Sequence, residues 1–192
     1  MEADWEFDID PEAAAIDAHW TGHVDLLRDP EAAYRLPETV QLSALAEALI
    51  QLNSKDSNVW TSKCDVWADQ PFDPDELDST ADAADRSLAC YIDVLPRNPS
   101  EWVTPDAAAD WCRRMRAGLK NQPIRQCRAD LVIRTAALSP GEFGFGVTAY
   151  FTACGLNMDE ASGVISRALG VFAQAAVALA NQAKYNESNT GE

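Results

Sequence analysis

Polar and apolar residues alternate along four stretches of the chain, and a period of two is typical of β-strands with one buried face. The predicted strands cover residues 59–67, 87–95, 125–137 and 143–154. The last two are joined by Ser139-Pro140-Gly141, a turn sequence that predicts a hairpin.

Apolar residues spaced three or four apart predict four helices around these strands. The helices are expected at about residues 11–27, 37–52, 105–119 and 158–184. Proline or a capping residue opens each of them, including a capping box formed by Asn157 and Glu160 before the last. The first two helices are expected to form an α-hairpin. The apolar face of the first consists of Ile16, Trp20, Val24 and Leu27.

The resulting order of elements is ααββαββα. Because hairpin-length or irregular links join most of the strands, we expect an α+β fold. Its sheet is predicted to be mainly antiparallel and four-stranded, with the helices packed on one face. Residues 10–185 are expected to form a single domain, between an acidic N-terminal tail at 1–9 and a C-terminal tail at 186–192. The apolar face of the last helix fits either the core or a homodimer seam.

Three strands carry an acid near the middle of their polar face, at Asp65, Asp93 and Asp130. We expect this face to be left open, since the helices pack on the other one. The simplest interpretation is a charge lattice across the strands. Its basic members are Lys63, Arg128 and Arg134.

The same face also carries aromatic residues, which favours a second interpretation as a binding surface. Aromatic area supplies affinity at protein interfaces, and the surrounding charges fix the register. The aromatic members are Trp67, Tyr91 and Tyr150. A third interpretation is a divalent-metal site formed by the three aspartates, or an enzyme that uses them as acids or bases.

Charge is distributed unevenly along the chain. The net charge is −16, and residues 1–85 hold 21 acidic and four basic side chains, whereas residues 86–192 are close to neutral. This balance disfavours direct nucleic-acid binding, and it has two interpretations. The acidity serves solubility alone, or it attracts a basic protein partner, for example by imitating nucleic acid. An exposed cluster is expected in the acidic connector at Asp73, Asp75, Glu76 and Asp78.

Other residue types give weaker signals. The five cysteines lie far apart, which predicts reduced thiols and neither a disulfide framework nor a zinc site. His19 and His23 stand four apart, and packing is favoured over metal binding because no third ligand accompanies them. The acidic N-terminus predicts a cytoplasmic protein. No membrane span is expected, because the longest apolar run is interrupted by Ser166, Arg167 and Gln174.

The order of elements, the chain length and the acidity resemble the small acidic secretion-chaperone fold. That resemblance implies a dimer that holds an extended client. We therefore expect an interaction protein of the chaperone, immunity-protein or inhibitor class, with no cofactor. It would bind its partner through the polar sheet face, the acidic half, or both. A small enzyme is the alternative.

Overall fold

The structure is a computed structural model that describes residues 1–189, except the side chains of Ala81 and residues 183–189. It has an α+β fold with a mixed six-stranded sheet. The strands are β1 Glu2–Phe7, β2 Ile16–Asp17, β3 Val59–Ala68, β4 Arg86–Pro96, β5 Cys127–Ser139 and β6 Glu142–Gly155. Their order is β1-β5-β6-β4-β3, and β2 pairs with β5 beyond the end of β1.

The four predicted strands are confirmed and form the antiparallel part of the sheet, β5-β6-β4-β3. The prediction of four strands was incomplete, because β1 and β2 add parallel pairing along β5. A short strand that pairs with a segment more than a hundred residues away has no turn signal beside it. The local pattern of residues therefore does not reveal the pairing.

Within residues 1–189, four α-helices flank the sheet, and short 3-10 turns connect some of the elements. The helices are α1 Pro37–Gln41, α2 Ser43–Leu52, α3 Pro105–Lys120 and α4 Met158–Asn189. The helix predicted at 37–52 is interrupted at Leu42, whose φ of −139° is not helical. The predicted capping box opens α4: Asn157 Oδ1 accepts the N–H of Glu160 at 2.9 Å, and Glu160 accepts the N–H of Leu156 at 3.0 Å.

The main core lies between the helices and one face of the sheet. Phe172 of α4 makes edge contacts with Phe151 of β6 and Trp111 of α3, at centroid distances of 5.1 and 6.2 Å. The apolar face of α4 is buried there, so the core rather than a dimer seam accounts for it. Its buried members include Val164, Ile165, Ala168, Leu169, Phe172 and Ala176.

Residues 158–182 of α4 are long and apolar enough to cross a membrane by length and composition alone. The interruptions at Ser166, Arg167 and Gln174 therefore do not exclude a span by composition, and the absence of a membrane span stays a prediction. The buried face of α4 packs on the sheet, and the core helix of a folded domain passes the same test. The finding is weak evidence for a membrane span.

Two predictions near the N-terminus were wrong. Residues 2–7 are not a tail, because they form β1 and pair with β5 in parallel from Glu2 to Phe7. Residues 11–27 are not a helix and do not form an α-hairpin, because this segment is irregular apart from β2. At the other end, the backbone of α4 continues to Asn189, so the predicted tail at 186–192 begins as helix, and residues 190–192 lie outside the described part.

The irregular residues 11–27, which we call the crossing segment, lie across one end of the polar sheet face and close a second, small core there. Ile16 and Ala18 pack on Leu95, Ala136 and Leu138, with Trp60 beside them. Gly146 lies beneath this contact, and a Cβ on it would meet the methyl groups of Ile16 and Leu95 at 2.8 Å. The polar face is therefore covered at one end, and only the rest of it is open as predicted.

Candidate functional site

The strand register places four of the predicted site residues in one row across the sheet, together with Asp4. From β3 to β1 the row reads Asp65, Tyr91, Tyr150, Asp130 and Asp4. The next row, two residues along, contains Asp93 beside Thr148. The alternation of the strands thus puts all three predicted aspartates on the polar face, but on different strands and at different depths.

Three aromatic rings stand side by side on the uncovered part of this face. The centroid of Tyr91 lies 6.1 Å from that of Trp67 and 5.8 Å from that of Tyr150. All three residues are half-buried. We call Trp67, Tyr91 and Tyr150 the aromatic row. It presents flat apolar area flanked by charged groups, as interface anchors do.

The basic residues of the face have partners other than those expected for a cross-strand lattice. Arg128 pairs with Asp130 of its own strand at 2.9 Å. Arg134 pairs with Asp8 at 3.0 Å and donates to the Tyr150 hydroxyl at 3.3 Å. No ion pair to Lys63 occurs in the described residues, and its ammonium lies 5.7 Å from the centroid of the Trp20 ring.

Asp65 has a local structural role at the edge of the sheet. Asp69 donates its N–H to the carbonyl of Ser87 in β4. Because the N–H groups along a strand point alternately towards and away from its partner, the N–H of Val66 points away from β4. Asp65 Oδ1 accepts that N–H at 2.8 Å. An unpaired edge N–H invites pairing with another chain, and the carboxylate blocks it.

Asp93 differs from the other two aspartates because it is buried. Its side chain lies under the crossing segment and only 7% of the residue is exposed. Thr148 donates its hydroxyl to Asp93 Oδ1 at 2.7 Å. Burial raises the pKa of Asp93 to about 6, and the hydroxyl of Thr148 and the charges of Arg134 and Lys63 only partly oppose this shift.

A pocket of about 280 Å³ opens above Asp93, where the crossing segment meets the aromatic row. We call it the Asp93 pocket. Asp93 and Thr148 form its floor, and the crossing segment forms the opposite wall. The complete lining is Ala15, Asp17, Trp20, Lys63, Tyr91, Asp93, Arg134, Thr148 and Tyr150.

The pocket walls on the crossing segment were missed by sequence reasoning. The segment was predicted to be a helix with Trp20 on its apolar face, which would have placed neither Trp20 nor Asp17 on the polar sheet face. Gly22 within that segment was the available signal, because an interior glycine costs a helix about 1 kcal/mol. In the structure its φ is +102°, and the Trp20 ring lies against it.

Metal binding by the strand aspartates is not supported by their arrangement. Asp65 and Asp130 stand on β3 and β5, three strand spacings apart, which is roughly 14 Å. Among residues 1–189, no group of three or more candidate ligands could hold a metal ion. His19 and His23 instead pack on Trp60, at centroid distances of 5.7 and 5.8 Å.

The cysteines carry no sign of nucleophilic chemistry. All five thiols are free, and four are fully buried. Burial raises the pKa of Cys64, Cys112 and Cys127 to about 12, which suppresses the reactive thiolate.

The acidic connector is exposed, as predicted, at Asp73, Asp75, Glu76 and Asp78. Two of its acids have structural partners: Asp73 Oδ1 accepts the N–H of Asp75 at 3.0 Å, and Asp78 pairs with Arg125 at 3.0 Å. Basic residues of α3 pair with acids of β1, since Arg116 lies 3.3 Å from Asp4 and Lys120 lies 3.6 Å from Glu2.

Comparison of the chain with protein-family models, with characterised proteins and with solved structures gave no significant match. The resemblance to secretion chaperones therefore gains no support and stays an expectation. Function has to be inferred from the chemistry of the site.

Proposed function

We propose that the protein is an interaction module that binds a basic protein partner through the uncovered part of its polar sheet face. The observation that carries the proposal is the aromatic row. Tyrosine and tryptophan on a surface supply contact area with little loss of side-chain entropy, and such residues dominate binding energy at interfaces.

The charges around the row favour a partner of positive charge. Asp65 flanks the aromatic row on one side, and the Arg128–Asp130 ion pair flanks it on the other. The side chains of Arg128 and Asp130 are each 37% exposed. The overall charge of −16 attracts a basic surface over long range. The exposed acidic connector adds to this field.

The experiment starts from the partner recovered by crosslinking in the native host. Purified partner is then titrated against the parent protein and the Trp67→Ala variant. We expect the affinity of Trp67→Ala to fall at least about tenfold, as for a buried aromatic anchor. The matched control is Phe143→Ala, because Phe143 is 64% exposed at the β5–β6 turn and outside the face. Equal affinities for the two variants would contradict the proposal.

The Asp93 pocket favours a second candidate, a small enzyme. A carboxyl with a raised pKa next to a tyrosine suits general acid–base chemistry close to neutral pH. Screening the purified protein with hydrolase and isomerase substrates tests this candidate. A turnover that Asp93→Asn abolishes would favour the enzyme over the interaction module.

A further inference from the structure

We propose that the Asp93 pocket binds the guanidinium or ammonium group of one basic side chain of the partner. This inference rests on the proposed function, because it gives the partner one specific contact at the border of the aromatic row. It assigns a ligand class to the pocket, which shares Tyr91 and Tyr150 with the aromatic row, whereas the row as a whole supplies apolar contact area.

No ion pair to Asp93 is present among the described residues, although Lys63 and Arg134 line the same pocket. Thr148 satisfies Oδ1, and no described residue donates a hydrogen bond to Oδ2. Neither Lys63 nor Arg134 forms an ion pair with Asp93. A buried carboxylate is costly unless a charged donor reaches it, and an incoming guanidinium or ammonium would supply that donor.

The two cations that line the pocket contact other groups, although Nε of Arg134 is buried without a hydrogen-bond partner. Arg134 already holds Asp8 at 3.0 Å, and its guanidinium carbon lies 5.7 Å from the centroid of the Tyr150 ring. Lys63 lies over the Trp20 ring. The lining holds two acids, Asp17 and Asp93, and two bases, Lys63 and Arg134. Asp8 lies outside the lining and balances the charge of Arg134, so one negative charge is left over around the pocket, which favours a cation.

The rings of the pocket also suit a cation. Trp20, Tyr91 and Tyr150 line it, and the face of such a ring attracts a guanidinium or ammonium group electrostatically. The ring of Tyr91 has no cation over it among the described residues, whereas those of Trp20 and Tyr150 do. We expect the ligand to extend along Tyr91 towards Asp93.

An anionic ligand is the opposite assignment, because Lys63 and Arg134 could hold a carboxylate. The two assignments predict opposite effects for Lys63→Met. Removal of the Lys63 charge removes a repulsive neighbour of a bound cation, so cation binding should strengthen or stay unchanged. An anion would lose one of its two contacts and bind more weakly.

The test is an NMR titration of the full chain with N-acetyl-arginine amide, with N-acetyl-citrulline amide as the neutral isostere. We expect shifts in the resonances of Tyr91 and Thr148 with the arginine probe only. Asp93→Asn should weaken binding at least about tenfold, since a hydrogen bond to a charged group is lost. Asp56→Asn, at an exposed loop position, is the matched control and should bind as the parent does.

Equal binding of both probes, or unchanged binding by a folded Asp93→Asn variant, would overturn the inference. Preferential binding of N-acetyl-glutamate amide, weakened by Lys63→Met, would replace it with the anionic assignment. The purified partner separates this failure from failure of the proposed function. If Trp67→Ala weakens partner binding and Asp93→Asn does not, only the pocket assignment fails.

Discussion

Two regions of the polar sheet face use aspartate for different purposes. At the sheet edges, Asp65 on β3 and Asp4 on β1 each accept the N–H of the following residue, at 2.8 and 2.9 Å. Both are exposed. Under the crossing segment, Asp93 is buried and accepts a hydrogen bond from the hydroxyl of Thr148 on the neighbouring strand β6.

The difference lies in what surrounds each carboxylate. An exposed carboxylate keeps its water and costs little, so at an edge it serves to block pairing with other chains. A buried carboxylate loses that water, which raises its pKa and destabilises the fold at neutral pH. Proteins keep such destabilising groups mainly where they serve binding or catalysis.

The largest effect on stability is expected from loosening the packing of the crossing segment on the polar sheet face. Ile16→Ala should lower the free energy of unfolding by about 2 to 5 kcal/mol, because Ile16 is 1% exposed in the small core that holds the crossing segment. Leu27→Ala is the matched control, since Leu27 shares the predicted helix face but is 41% exposed. Urea unfolding measures both, and similar losses would contradict the described packing.

Replacing the buried acid should have the opposite sign. Asp93→Asn should raise the free energy of unfolding at pH 7 by up to about 3 kcal/mol, because it removes a desolvated charge and keeps the acceptor for Thr148. Thermal unfolding at neutral pH checks this. A clear loss of stability would show that the charge of Asp93 is compensated in the fold.

The pH dependence of that difference follows from the raised pKa. Between about pH 4 and pH 6 the folded state holds a proton on Asp93 that the unfolded state has lost, so the parent loses stability as pH rises. The difference in the free energy of unfolding between Asp93→Asn and the parent should therefore increase across this range and stay constant above it. Lys63, Arg134 and Asp17 line the pocket in both proteins, so their contributions largely cancel.

The edge and open-face acids should matter far less. Asp65→Ala and Asp130→Ala should each change the free energy of unfolding by about 0 to 1 kcal/mol, since both act in partly solvated surroundings. Sedimentation adds a second readout, because Asp65→Ala frees the edge N–H of Val66 and should promote self-association. Several kcal/mol lost by either variant would mean that the two regions do not differ as described.

The smallest structural effect is expected for the acidic connector, whose role is long-range. Replacing Asp73, Asp75, Glu76 and Asp78 with their amides should leave stability almost unchanged apart from the Asp78–Arg125 pair. It should slow association with a basic partner and reduce the salt dependence of that rate, since exposed charges steer encounter. Stopped-flow mixing measures the association rate. A rate that changes neither with salt nor with the four substitutions would mean that the acidic residues serve solubility alone.

The sequence predicted the parts of the fold that depend on neighbours along the chain. The alternation in β3 to β6 placed Asp65, Asp93 and Asp130 on one face, and the capping box placed the start of α4. Periodicity and capping are local, so they can be read from a short stretch of residues.

What the sequence could not predict depends on distant contacts. Residues 2–7 become a strand only because β5 offers them an edge, and Ile16 is buried only because Leu95 and Ala136 lie beneath it. The Asp93 pocket follows from the same crossing segment. The depth of Asp93, which sets it apart from Asp65, therefore could not be inferred from alternation alone.

The most direct measurement is the titration of the Asp93 carboxyl itself, followed by its side-chain carbon resonance in NMR. The central claim is that the desolvated carboxylate of Asp93 binds a cationic group that enters the pocket. It predicts a midpoint at about pH 6 in the free protein, and a lower midpoint with N-acetyl-arginine amide bound. A midpoint at or below the ordinary value near 4, unchanged by the arginine probe, would contradict the claim.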